Sequence, residues 1–159
     1  MPVNLTFAFS PALVQVGGQD AYVPGQAYAV TATMTGATLA EGLVGNVNNF
    51  AAMFENAAGN VVGTLTSDTG QIQGTSCPAN ILNSASLPDA GTTLLSGSCK
   101  AIYGRGRVRT NLTQWTFTWT APAAGTGTVT LYWGATDGDK AEDSIGDYST
   151  NGTKVILQQ

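Results

Sequence analysis

Apolar and polar residues alternate along much of this chain with a period of two, and helical periodicity hardly appears. Val3, Leu5, Phe7 and Phe9 alternate with Asn4, Thr6 and Ala8, and Ser10-Pro11 follows. That spacing belongs to a strand with one buried face. Beyond a turn at Pro24-Gly25, Tyr28, Val30, Ala32 and Met34 alternate with Ala29, Thr31, Thr33 and Thr35. Asn49 to Glu55 is a short apolar run around Phe50, Met53 and Phe54, and Asn56-Ala57-Ala58-Gly59-Asn60 supplies a turn. Val61 to Ser67 then reads as the returning strand of a hairpin. Cys99 to Tyr103 adds a further strand. In Gln114 to Thr120, Trp115, Phe117 and Trp119 point one way and the threonines the other. Thr128 to Gly134 repeats the pattern with Val129, Leu131 and Trp133, and Lys154 to Gln158 is the last strand. Ala37 to Val44 has room for one helical turn.

About seven to nine strands with turns at short intervals predict an all-β antiparallel sandwich. No repeat or linker divides the chain, so residues 1–159 read as one domain. Residues 68 to 98 read as irregular, with Gly, Ser, Thr and Pro throughout. Loops of that length in compact domains are uncommon and are usually functional or pinned. Cys77 and Cys99, 22 positions apart, are both set in Ser/Gly-rich sequence. This predicts a disulfide in an oxidising compartment that pins the loop, with two unpaired thiols as the alternative. On the chain-entropy argument such a bridge contributes about 3 kcal/mol.

Composition narrows the chemistry. Only 10% of residues are charged, against about 25% in an average domain. Without histidine, Ser-His-Asp and Cys-His sites, His-ligated zinc and His-ligated haem are excluded. Two cysteines cannot supply the four sulfurs of an all-thiolate zinc site or an iron–sulfur cluster. Six basic residues in a chain of net charge −4 argue against nucleic acid. No apolar stretch is long enough for a membrane span, and the first residues lack the basic and apolar regions of an export leader. A surface kept soluble by Thr, Asn, Gln and Gly, with little Lys or Glu, favours a secreted or surface chain whose leader has been removed.

Two segments hold most of the charge. Asp137, Asp139, Glu142, Asp143 and Asp147 form an acidic loop around Lys140. Calcium takes six to eight oxygens, so Asp137, Asp139, Asp143 and Asp147 are its candidate ligands; no cofactor is otherwise required. The same carboxylates are the only acid–base candidates, but the polar loop offers little to raise a pKa, so a non-enzyme is expected. Lys100, Arg105, Arg107 and Arg109 are candidate contacts for an acidic glycan, a lipopolysaccharide head group or an acidic protein surface. Gly104-Arg105-Gly106-Arg107 reads as a flexible turn, and the bland account of the arginines is an edge strand guarded by charge. Two patches of opposite sign would also allow a head-to-tail homo-oligomer or filament. Trp115, Trp119 and Trp133 read as core aromatics rather than as a sugar platform.

The block Trp115-Thr-Phe-Thr-Trp119-Thr-Ala-Pro122, the Gly-rich turn into Thr126-Gly-Thr-Val-Thr-Leu-Tyr-Trp-Gly134, and the polar loop closing in Gly146-Asp147 resemble one known group. These are the reeler-like domains of bacterial surface proteins called choice-of-anchor V, related to the animal reeler domain. Tyr22-Val-Pro-Gly25 and the stretch Phe50 to Gly63 agree with it, and the resemblance spans residues 20 to 157. The basic segment Lys100 to Arg109 departs from the family pattern, and an anchoring tail is absent from these residues. The resemblance implies an immunoglobulin-like β-sandwich, secreted or surface-displayed and without catalysis. Its expected role is adhesion or binding of an envelope, matrix or glycan partner. Animal relatives are associated with matrix signalling and defence against microbes. The other expectation is a self-assembling structural subunit.

Overall fold

The computed structural model describes residues 3–36, 48–68, 90–95, 101–106, 113–138 and 147–159; for 90–95 and 105–106 it describes the backbone alone. Within them are eleven strands and no helix. They are β1 (Asn4–Ser10), β2 (Val14–Val16), β3 (Gln19–Tyr22), β4 (Ala27–Thr35), β5 (Asn48–Asn56), β6 (Thr64–Ser67), β7 (Ala90–Leu95), β8 (Ala101–Gly106), β9 (Gln114–Thr120), β10 (Val129–Asp137) and β11 (Tyr148–Gln158). A four-stranded sheet has the order β1-β4-β9-β6, and a seven-stranded sheet the order β2-β3-β11-β10-β5-β8-β7. The architecture is therefore all-β and two-layered. The predicted helical turn at 37–44 and both cysteines lie outside the described residues.

Period-two patterning places the core between the layers. The smaller sheet contributes Leu5, Tyr28, Val30, Ala32, Met34, Leu65, Trp115, Phe117 and Trp119; the larger contributes Tyr22, Phe50, Phe54, Ile102, Leu131 and Ile156. Trp119 of β9 stacks on Phe54 of β5 with ring centroids 4.3 Å apart and planes 7° from parallel. Tyr28 and Tyr22 pack on the same indole at 5.8 and 5.7 Å. Trp115 packs on Phe50 at 5.1 Å. Trp115 and Trp119 are core, as their alternation predicts. Trp133 faces inward but is half-buried, and its ring fills the space beside Gly152, its partner in β11.

Five expectations are corrected. Strand number among the described residues is eleven rather than seven to nine, because β2, β3 and β7 are short elements at the margins of the larger sheet with weak alternation. Pairing is mixed rather than wholly antiparallel, since β3 runs parallel to β11, with Leu157 opposite Ala21. Residues 49–67 are not a hairpin. After the turn only the Glu55–Val61 bridge forms; the chain then crosses to the other sheet, where β6 pairs with β9. Gly63 makes that crossing, at φ 77°. A Cβ there would lie 2.5 Å from both Trp119 Nε1 and the Thr120 carbonyl, so only glycine fits. The stretch 68–98 is not wholly irregular, because β7 pairs with β8. Finally, Gly104-Arg105-Gly106 is no flexible turn: it ends β8, an interior strand held by β5 and β7.

Polar groups tie the ends. Gln158 accepts from the Gly125 and Gly127 amides at 3.1 and 2.9 Å, and the Tyr22 hydroxyl donates to the Gly127 carbonyl at 2.8 Å. This fastens the Gly-rich turn to the last strand; burial raises the Tyr22 pKa. At the β3–β11 junction, Lys154 and Gln15 both donate to Asp20. The Lys154 hydrogen bond, then that of Gln15, lowers the Asp20 pKa.

Two predictions follow from this packing. A Cβ at Gly104 would overlap Phe50 and lie 2.9 Å from Trp115 Cγ. Gly104→Ala should therefore lower stability by about 1–3 kcal/mol in urea unfolding, and adding Phe50→Leu should recover part of that loss. The Asp20 carboxylate stabilises the fold above its unfolded-state pKa of about 3.9, and the effect is lost as pH falls through the lowered folded value. Asp20→Asn should cost up to about 1 kcal/mol at neutral pH, the range for a partly exposed pair. Wild type and variant should converge in strongly acidic buffer.

Candidate functional site

Topology decides where the charges lie. Four connections leave the same end of the sandwich: 36–47 between β4 and β5, 68–89 between β6 and β7, 107–113 between β8 and β9, and 138–147 between β10 and β11. The register shows it. Ala90 and Asn48 both stand opposite Gly106, and Thr136, next to the end of β10, stands opposite Asn49. In the smaller sheet Thr35 stands opposite Asn4, and Gln114 opposite Thr33, at the matching end.

The connections hold Glu41, Asp68, Asp89, Arg107, Arg109, Asp139, Lys140, Glu142, Asp143 and Asp147. Arg105 and Asp137 lie in the last two residues of their strands at the same end. By sequence, these connections and strand ends hold twelve of the sixteen charged residues, of which Asp68, Arg105, Asp137 and Asp147 are among the described residues. Eight of the twelve are acids and four are bases, a difference equal to the net charge of −4. Asp20, Glu55, Lys100 and Lys154 lie elsewhere, and Asp20 pairs with Lys154.

This redraws the two predicted patches. Lys100 precedes the first residue of β8 and Arg107 follows the last. The six residues of β8, about 20 Å long at the usual rise, stand between these two positions in sequence. The arginine and acidic segments start from β8 and β10, which are separated only by β5. Neighbouring strands lie about 4.8 Å apart, so the two segments leave the sheet about 10 Å from one another. The edge-strand account of the arginines also fails at Arg105, since β8 is interior. Lys100, Arg107 and Arg109 lie outside the described residues, as does the Arg105 side chain.

Of the four calcium candidates, Asp137 and Asp147 are described and Asp139 and Asp143 are not. Asp137 is not a loop residue. It ends β10 with 3% exposure, directly opposite Tyr148, so the exposed Asp147 lies one residue beyond its strand partner. Asn48 and Ser67 are buried at the same end, with 1% and 5% exposure. Among the described residues no group of three or more acidic or cysteine side chains could hold a metal. Among the described residues no helix is long and apolar enough to cross a membrane.

A second feature was missed by sequence reasoning. The outer face of the larger sheet carries a shallow apolar depression of about 250 Å³, lined by residues that include Ala51, Met53, Ala101, Tyr132 and Gly134. Gly134 stands opposite Ala51 on adjacent strands, so an absent side chain beside a single methyl makes the floor. The signal was small residues at outward positions of neighbouring strands, and it needs the register to be seen.

No family profile and no curated protein sequence matches the chain. Solved structures do. The human F-spondin reeler domain (fragment 1) is similar with a TM-score of 0.55 at 20% identity, over 98% of this chain and 88% of that one. The Reelin-N domain of F-spondin gives 0.56 at 19% identity, over 98% and 86%. A second fragment of the human F-spondin reeler domain gives 0.51 at 20% identity, over 96% and 92%. Two sheets, eleven strands and this likeness across nearly the whole chain lead to one conclusion: the protein has the fold of a reeler domain.

Proposed function

We propose that the chain is a non-enzymatic extracellular module of immunoglobulin-like character that binds a partner through its charged end. The observation that carries this reading is that four connections starting from one end of the sandwich hold ten of the sixteen charged residues, with Arg105 and Asp137 in the adjoining strand ends. Connections presented by a rigid sandwich are the usual place for recognition residues. The reeler-domain fold of the neighbours and the sparsely charged surface support an extracellular setting.

Within that reading a protein surface suits the end better than an acidic glycan or lipopolysaccharide. Eight acids beside four bases give a net negative field, which repels a polyanion at long range. Both signs in close proximity match a partner that also carries both, because local complementarity fixes orientation and suppresses wrong partners.

Binding of the labelled protein to matrix and cell-surface preparations of the source organism tests this. Arg107→Glu with Arg109→Glu, and separately Asp139→Lys with Asp143→Lys, should each weaken binding at least about tenfold, a loss of about 1.4 kcal/mol. Glu55→Lys with Lys100→Glu, at the other end, should leave it unchanged. Equal binding by all three forms overturns the charged end as the contact surface. Tight retention on a sulfated glycan column, lost in an Arg105, Arg107 and Arg109 triple alanine variant, replaces the protein partner with an acidic glycan.

A further inference from the structure

The four strands of the smaller sheet contain no charged residue. Its outer face presents threonine, serine, alanine, asparagine and glutamine alone. An open sheet edge carries unpaired backbone donors and acceptors, and soluble proteins guard such edges with Lys, Pro, a bulge, a short strand or a covering segment. Among the described residues the two sheets have four edges: β1, β6, β2 and β7. Two are short, β2 with three residues and β6 with four. β1 is different. It has seven residues, no charge and no proline, and its register with β4 runs without a bulge from Asn4–Thr35 to Ser10–Ala29.

A second observation marks the same edge. Phe7 and Phe9 point inward, yet both are only partly buried. Phe7 packs on Phe50 and Trp133 at 6.2 and 6.3 Å, and Phe9 on Tyr28 and Trp119 at 6.1 and 6.4 Å. They form the rim of the core at the place where a further strand would lie.

We propose that β1 is a docking edge for a second copy of this chain, pairing antiparallel with its counterpart about a two-fold axis near Phe7. The two smaller sheets then continue as one, and the paired strands cover Phe7 and Phe9. A homotypic antiparallel pair about that axis sets Phe7 against its own equivalent and Thr6 against Ala8, so a charge near the axis would meet its own sign; β1 has none. Pro2 and Pro11 bracket the strand and limit the pairing to the residues between them. Antiparallel pairing also points the two charged ends in opposite directions, which keeps the two net charges of −4 apart. A two-fold contact is self-complementary and closed, so the product is a dimer and not a filament. The inference does not depend on the binding function proposed above.

Analytical ultracentrifugation of the full chain over about a hundredfold range of concentration is the test, since mass action makes a dimer concentration-dependent. Thr6 and Ala8 are exposed on β1, and Thr35 and Gln114 are exposed on the same face of interior strands. Wild type should shift from 16.3 kDa towards twice that mass as concentration rises. Thr6→Lys with Ala8→Lys should remain monomeric, with an unchanged circular dichroism spectrum. Thr35→Lys with Gln114→Lys should dimerise as wild type does. A wild type that is monomeric throughout, or loss of the dimer in both variants, overturns pairing through the β1 edge.

Discussion

The stack of Trp119 on Phe54 is the contact on which the two layers depend. It joins β9, an interior strand of one sheet, to β5 in the other, with ring planes 7° apart. Tyr28, Tyr22 and Phe9 close around the same indole, so five aromatic rings from both sheets share one packing unit. The indole also dictates backbone. Gly63 passes so close to Trp119 Nε1 that no side chain fits, and there the chain crosses from the larger sheet to the smaller. Truncating a buried ring of this kind typically costs about 3–5 kcal/mol, a large share of the stability of a domain this size. A second contact, Trp115 on Phe50, repeats the arrangement nearer the charged end, and Gly104 leaves room for it. Its indole Nε1 is buried without an acceptor, which costs stability that the surrounding ring contacts offset.

The frame held this way separates two kinds of surface. Uncharged strands suffice for a body whose faces are threonine, because threonine combines strand preference with a polar hydroxyl. Charge is then available for the connections, and topology delivers most of them to one end. The sequence distance between Arg105 and Asp137 conceals that their strands are separated only by β5.

Strands with one buried face were legible from the chain alone. β1, β4, β9 and β10 alternate cleanly, because each has a solvent side of threonines and a core side of large apolar residues. Elements whose existence depends on a neighbour were not. In β7, Ala90-Gly91-Thr92-Thr93-Leu94-Leu95 has no period of its own and is a strand because β8 pairs with it. The turn at 56–60 was read correctly, but a hairpin needs a register beyond the turn, and Gly63 ends it after one bridge. For the candidate site, residue types were legible and positions were not. Asp137 belongs to an acidic run by sequence, yet it closes a strand and is buried. The resemblance through Trp115 to Pro122 did identify the fold, because that block supplies the central rings of the core.

The central claim is that the aromatic stack couples both sheets into one cooperative unit. Native-state hydrogen exchange measured across a denaturant series tests it most directly, because it assigns an opening free energy to each strand. Amides of β4 and β9 in the smaller sheet and of β5 and β10 in the larger should open with one shared free energy, equal to that of global unfolding. If either sheet opens at a distinctly lower free energy than the other, the two layers are separate units and the account is contradicted.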